Sequence, residues 1–470
     1  MQYGFWSLVP PILTIALALI TKDVFISLLI GIMTGALVLN GFSLFVGLNS
    51  GLYAIAKGMS ESNTIIIGSV LITAAIIHLA ERSGGIEGFV NIVIKKKGLI
   101  KSKRGANLFT FLLGLAVFTS GTLSCLVTGS VARPVNDALK VPHEKAAFIV
   151  HTTSTPWCVL FPFSGWLAAM AGYLVSGGVP ENQAVGVLFE SIFLNFYCIL
   201  AILLVLFLAL TQKDWGPMAL AEQRAAATGE LDEAGHGLSA DATSVTPASG
   251  AKPRAANLLI PIGVLILVML VTLIATGDGN IMKGSGMKAL LWAVVVSLLT
   301  AAGMCVGQKL FTMQEVIQEI FEGMKGMLPI AFVLLFGFTM GNVVKSLDTG
   351  TYLASIFTSL LSPALLPAIT FLIGLLISFA TGTSMGTMAI VAVIALPMAY
   401  SMGSNIPLVA GAVFGGSIFG DHASPISDTT IMSCSTTGCN IIDHVKTQFP
   451  YVAVIAAISF VLYVLAGFVL

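Results

Sequence analysis

Apolar runs long enough to cross a bilayer recur along the chain. Uninterrupted ones cover 5–21, 24–40, 63–80 and 185–211, then 257–276, 288–307, 328–345 and 450–470. A spanning helix needs about 20 mostly apolar residues, so each run predicts a crossing. Two further regions, 105–175 and 365–435, hold apolar stretches broken by Ser, Thr, Gly and Pro. The hydrophilic stretch from Gln212 to Arg254 is rich in Ala, Gly, Ser, Thr and acidic residues and carries no apolar periodicity. It predicts a flexible linker over 212–254 between two halves, 1–211 and 255–470.

The halves resemble each other. Thr110-Phe111-Leu112-Leu113-Gly114-Leu115 recurs as Thr370-Phe371-Leu372-Ile373-Gly374-Leu375. Each is followed by a small polar break, Ser120-Gly121-Thr122 and Thr381-Gly382-Thr383, and then by a proline, Pro134 and Pro397. Ser154-Thr155-Pro156 answers Ala423-Ser424-Pro425, Gly58-Met59 answers Gly323-Met324, and Gly85 answers Gly350. Weak internal symmetry of this kind marks secondary transporters.

Charge sets the relation between the halves. Lys95, Lys96, Lys97, Lys101, Lys103 and Arg104 crowd one loop, while the matching Ser359–Pro367 loop has no Lys or Arg. Basic loops stay cytoplasmic, so equivalent loops lie on opposite sides and the repeats are inverted. Lys213 and Arg254 place the linker in the cytoplasm as well. The crossing count closes if 105–135 and 365–399 are re-entrant hairpins and 145–175 and 405–435 are single broken crossings. The expected fold is therefore an all-α membrane protein of two inverted repeats. It has about ten transmembrane helices, two re-entrant hairpins and two broken helices, with both termini outside.

Composition agrees. Of 470 residues, 56% are hydrophobic and 9% charged, and the mean hydropathy is +0.97. A soluble domain carries roughly 25% charged residues. The formal net charge of zero offers no basic surface to nucleic acid. The run from Phe5 to Ile20 lacks a basic leader, and another begins near Val24, so it reads as the first membrane helix. Six cysteines, none in a C-x-x-C pair, read as small packing residues.

Chemistry concentrates at the breaks. An interrupted helix frees backbone groups that cost several kcal/mol in hydrocarbon, so breaks survive only inside protein or beside a wet cavity. Helix N-termini attract anions, and C-terminal carbonyls attract Na⁺. Gly420-Asp421-His422-Ala423-Ser424-Pro425-Ile426-Ser427-Asp428-Thr429-Thr430 places two carboxylates, an imidazole and four hydroxyls within an apolar crossing. An ionised Asp there costs roughly 2.5–3.5 kcal/mol on insertion scales, which points to an ion, proton or substrate site. Pro425 prevents a continuous helix, so carbonyls from about Asp421 become available to a hard cation.

This segment closely resembles the signature of the NhaC family of sodium/proton antiporters, within a broad ion-transporter superfamily. The resemblance implies inverted repeats, two hairpins and elevator-like movement of a transport domain against a scaffold. Its motif falls on Asp421, His422, Ser424, Pro425, Ser427, Asp428 and Thr429. The first-half counterpart, Thr152-Thr153-Ser154-Thr155-Pro156-Trp157, has no carboxylate. The expected substrate and ion site combines the motif with Thr381, Gly382, Thr383, Ser120, Gly121, Thr122, Ser154 and Thr155. Asp421 and Asp428 are the Na⁺ candidates.

Several polar residues read more plainly. His151, one position before the aligned place of Asp421, is first a hydrogen-bonded helix histidine and second a proton carrier. His78 and Glu81, at i and i+3, are expected to pair near the interface. Glu190 is expected to reach headgroup water. Trp157, Phe161, Phe163 and Trp166 read as core packing before they read as a pocket for an organic solute. His143-Glu144 lacks the second histidine of H-E-x-x-H, so no zinc protease is expected.

The expected function is secondary transport: Na⁺ out against H⁺ in across a bacterial inner membrane. The alternative is Na⁺- or H⁺-coupled movement of a small carboxylate or amino acid. No enzyme activity and no cofactor are expected, only Na⁺ and/or H⁺ as coupling ions. The expected partners are the lipid bilayer and a cation or small-molecule substrate, and a homodimer is one assembly left open.

Overall fold

A computed structural model describes residues 3–21, 23–94, 100, 102–118, 121–162, 164, 166–233, 251–279, 285–349, 352, 362–425 and 427–470. Ser120, Phe163, Gly350, Ile426, the basic loop apart from Lys103 and Arg104, and residues 359–361 of the Ser359–Pro367 loop lie outside these. Every regular element among the described residues is helical. The first half contains α1 (Val9–Thr21), α2 (Val24–Leu39), α3 (Leu44–Lys57), α4 (Glu61–Arg82) and α5 (Gly85–Ile94). A hairpin of α6 (Lys103–Ala116) and α7 (Gly121–Ala138) follows, then α8 (His143–Thr152), α9 (Thr155–Leu160), α10 (Leu167–Ser176), α11 (Glu181–Phe193) and α12 (Phe196–Thr211). Next comes α13 (Gly216–Ala227). The second half contains α14 (Ala256–Thr276), α15 (Gly286–Gly307), α16 (Met313–Lys325), α17 (Leu328–Ser346), a hairpin of α18 (Leu366–Thr381) and α19 (Ser384–Met402), α20 (Ile406–Ala423), α21 (Asp428–Thr437) and α22 (Ile441–Val469).

Among the described residues, eight helical spans are long and apolar enough to cross a membrane. Two of them are the arms of the second hairpin, so length alone would let those arms span. Their packing sets the depth instead. Ser378, one turn before the tip, lies against Gly420 at the end of α20, so tip and helix break share one level. Gly467 near the end of α22 meets Ala364 at the start of the hairpin. The other end of α22 reaches the segment after α12, through Tyr451 to Asp214 and Lys446 to Glu233. The first hairpin opens on that same face, where Lys103 pairs with Glu222 at 2.9 Å. The hairpins therefore enter from opposite sides.

The frame around them shows the same exchange. Helix α17 packs on α2 and α3, and α4 packs on α15 and α16. Gly58 abuts Leu335 and Thr339 of α17, while Gly323 abuts Ala75 and His78 of α4. Those two glycines matched in sequence, and each touches the crossing helix of the other half.

The structure departs from the sequence expectations in several places. The linker is not wholly flexible: Met218, Ala221 and Ala225 form the buried face of α13, at the helical spacing i, i+3, i+7. Its alanines favour helix, and Lys145, nearly fully buried, binds Asp214 at 2.7 Å and Glu222 at 3.0 Å. Residues 234–250 lie outside the described residues. The apolar run 185–211 breaks at Leu194-Asn195, where the Asn195 side chain caps α12 by accepting from the Cys198 N–H. The run 450–470 instead extends back to Ile441. Helices α3 and α16 were not foreseen because both are amphipathic rather than uniformly apolar; α16 starts with a Thr312/Glu315 capping box. His78 sits 3.9 Å from Glu81, but its close partner is Glu319 at 2.8 Å, which Arg82 also binds.

Candidate cation site

Each break has a local cause. Gly382, at φ +68°, ends α18 in the left-handed region that lacks a Cβ penalty. Thr383 then caps α19 through the Gly386 N–H. Ser424 is extended, as a residue before proline must be, and this stops α20. Ser427 is the N-cap residue from which α21 restarts. In the first half Pro156 occupies the opening turn of α9, where its missing N–H costs nothing.

The breaks meet around Asp421 and Asp428. Asp421 is buried, and Ser427 Oγ donates to its Oδ1 at 2.6 Å. Asp428 is exposed, and Thr122 Oγ1 donates to its Oδ2 at 3.1 Å. Gly121 packs on Thr155 and Thr429. The buried Thr155 Oγ1 has no hydrogen-bond partner among the described residues. Neither carboxylate has a Lys or Arg within ion-pair distance among the described residues. A buried carboxylate without a countercharge is tolerated only with a proton or a cation on it. Thr155 adds to the same junction a buried hydroxyl oxygen, the ligand type that hard cations take.

Other expected members are occupied differently. Thr152 Oγ1 contacts His422 Nε2 at 2.8 Å and Tyr197 OH contacts His422 Nδ1 at 2.9 Å, so both ring nitrogens are engaged. Thr430 Oγ1 donates to the Ser424 carbonyl at 2.8 Å and approaches that of Asp421 at 3.5 Å. Gln448 Nε2 donates to the His422 carbonyl. The carbonyls freed by Pro425 are thus largely spent inside the protein. Thr381 Oγ1 donates to the Ile377 carbonyl, and Ser154 Oγ to that of Val150. Trp157 donates to the Leu115 carbonyl and its ring lies 5.9 Å from that of Phe161, which reads as packing on the first hairpin tip. Glu190 is exposed.

Sequence reasoning missed Tyr197, His444 and Gln448. The last two had a signal. His444, Thr447, Gln448 and Tyr451 recur at i, i+3, i+4 and i+7, a polar-tipped stripe that is buried throughout. It was hidden because the stretch before Pro450 looks like a loop. His151 Nε2 lies 3.0 Å from Thr429 Oγ1, and His151 Nδ1 lies 3.1 Å from His444 Nε2. All three histidines are buried, yet among the described residues no group of three or more His, Cys, Asp or Glu could hold a metal ion.

The Na⁺/H⁺ antiporter family model matches residues 168–468. This chain belongs to the Na⁺/H⁺ antiporter family. The antiporter is 31% identical to an uncharacterised Haemophilus influenzae protein, over 98% of this chain and 91% of that one. It is 32% identical to the Na⁺/H⁺ antiporter NhaC of Alkalihalophilus pseudofirmus, over 27% of this chain and 28% of that protein. The Alcanivorax borkumensis YdaH transporter has a similar fold, with a TM-score of 0.60, 16% identity, and coverage of 90% of this chain and 89% of that one. The antiporter is a multi-pass membrane transporter and not an enzyme.

Proposed function

We propose that this antiporter exchanges Na⁺ for H⁺ at Asp421. The observation that carries this is a buried carboxylate with only hydroxyl partners at the junction of the breaks. Proton and Na⁺ compete for it, because either one removes the cost of its uncompensated charge. Thr155 completes the oxygen set, and Asp428 with Thr122 forms the wetter mouth that draws the cation in. The hairpins and broken helices would move as one body against the frame of α1–α4 and α14–α17, exposing the site to each side in turn. The repeats 1–211 and 255–470 supply one hairpin and one broken helix each. The working direction is Na⁺ out against H⁺ in.

The test is reconstitution into liposomes with an internal pH dye. An inward Na⁺ gradient alone should drive proton efflux, and Asp421→Asn should abolish it with insertion unchanged. Sodium-evoked proton movement surviving in Asp421→Asn would refute the assignment.

A further inference from the structure

We propose that His151 and His444 form a proton relay between Asp421 and the cytoplasmic end of α22. The proposal rests on the reading of Asp421 as the shared proton and Na⁺ carboxylate. What it adds is the route by which the proton leaves.

Five side chains from four helices and one break make an unbroken line. Ser427 Oγ is 2.6 Å from Asp421 Oδ1. Thr429 Oγ1 is 2.9 Å from Ser427 Oγ. His151 Nε2 is 3.0 Å from Thr429 Oγ1, and His444 Nε2 is 3.1 Å from His151 Nδ1. Every step lies within ordinary hydrogen-bond range. The line does not close on itself. His444 Nδ1 is buried and has no hydrogen-bond partner among the described residues. His444 is the fourth residue of α22, whose first turns Lys446 ties to Glu233 at the cytoplasmic face. His422, by contrast, is locked between Thr152 and Tyr197 and lies off the line.

The donor directions fit together. An ionised Asp421 can only accept, so Ser427 donates to it, Thr429 donates to Ser427, His151 donates from Nε2 and His444 donates from Nε2. Both imidazoles are then neutral, and His444 Nδ1 carries a bare lone pair. That is the polarity left after a proton has gone out to the cytoplasm.

The exit step begins from the opposite polarity. Protonated Asp421 passes its proton to Ser427 Oγ as Ser427 passes its own to Thr429 Oγ1. Thr429 passes its proton to His151 Nε2, His151 Nδ1–H goes to His444 Nε2, and His444 Nδ1–H is released. One O–H bond breaks at Asp421, one proton emerges, and each relay member exchanges one proton for another with no net charge gained. Histidine suits the role because its two nitrogens hold a proton alternately. Neither His is a ligand of the cation, so their loss should separate two transport modes.

The test measures both modes in liposomes. Na⁺/Na⁺ exchange, read with labelled Na⁺, needs no proton transfer; Na⁺/H⁺ exchange does. His151→Gln and His444→Gln should each slow Na⁺/H⁺ exchange by about 100-fold, the usual scale for a lost proton-transfer group. Na⁺/Na⁺ exchange should stay within twofold of the unmodified antiporter. In His444→Ala, added imidazole should restore part of the Na⁺/H⁺ rate. If both modes fall together, the histidines are structural and the relay is overturned. If neither mode changes, the relay is overturned while the Asp421 site stands. Failure of the site itself would appear elsewhere, as Asp421→Asn retaining Na⁺/Na⁺ exchange.

Discussion

The two broken helices occupy matched places yet bring opposite chemistry. At the first, Thr152 to Pro156, the side chains offer hydroxyls, and His151 lies immediately before. At the second, Asp421 to Asp428, they offer both carboxylates. Each break is packed by its own hairpin: Gly114 of α6 meets Thr153, and Ser378 and Phe379 of α18 meet Gly420. The shape is duplicated and the charge is not. A carboxylate in each break would bury a second charge without a countercharge, at a further desolvation cost. In the proposed site, one charged break and one neutral break leave a single buried carboxylate, for which one ion or one proton suffices.

The strongest way to break this comparison is to neutralise the charged side position by position. Asp421 is buried and Asp428 is exposed, so the two should fail differently. Asp428→Asn should raise the Na⁺ concentration for half-maximal rate by about tenfold, the scale of one hydrogen-bonded charge worth ~1.5 kcal/mol, and leave the saturated rate near normal. Asp421→Asn should leave no saturable Na⁺-dependent rate. Equal losses in both variants would mean that the two carboxylates act as one pair and that the difference in burial has no functional content.

A smaller effect separates the two packing contacts. A Cβ at Gly420 would meet the backbone of Ser378 and Phe379, which cannot rotate away. A Cβ at Gly114 would meet the Thr153 side chain, which can turn if its own helix bond is broken. Overpacking of this kind costs typically 1–3 kcal/mol. Gly420→Ala should therefore lower the Tm in detergent clearly more than Gly114→Ala does. The reverse order would show that the first hairpin is the more tightly seated.

The frame and the breaks were legible because the bilayer imposes simple rules. Long apolar runs must span, and Pro425 or Gly382 in such a run must stop a helix. The matched pair Gly58 and Gly323 was visible as well, since close helix approach demands glycine at both. What stayed hidden was any contact made by residues far apart in sequence. His444 looked like part of a polar loop, although its partner His151 is 293 positions away. Tyr197 sat unnoticed in an apolar run. Lys145 and Glu144 gave no sign of being buried, yet Asp214, Glu222 and Arg224 are placed to neutralise them. Periodicity reports which face is buried. It does not report which buried polar groups find each other.

The smallest effect belongs to the polar start of α8, ahead of the neutral break and beside the segment that follows α13. His143 Nδ1 lies 2.9 Å from Asp232 and its Nε2 lies 3.1 Å from Asp137. Burial alone would lower the imidazole's pKa, but hydrogen bonds to the two carboxylates outweigh it and push the value up to about 9. Only the imidazolium can donate from both nitrogens. Arg133 also faces Asp137 at 3.7 Å, and Arg224 holds Glu144 at 2.9 Å beside the same segment. With a folded value above the unfolded one, the contact contributes fully below about pH 6.5 and is lost as pH rises through about 9. A neutral His143 would turn one lone pair toward a carboxylate and loosen Asp232. Arg224 would still hold the neighbouring turn through Glu144 and the Leu231 carbonyl, so the change should stay local. A spin label at Glu230 should be immobile at pH 7 and gain mobility between pH 8 and 10. In His143→Gln it should be equally mobile at both ends of that range. A label in the unmodified antiporter that ignores pH from 7 to 10 would mean that Arg224 alone secures this segment.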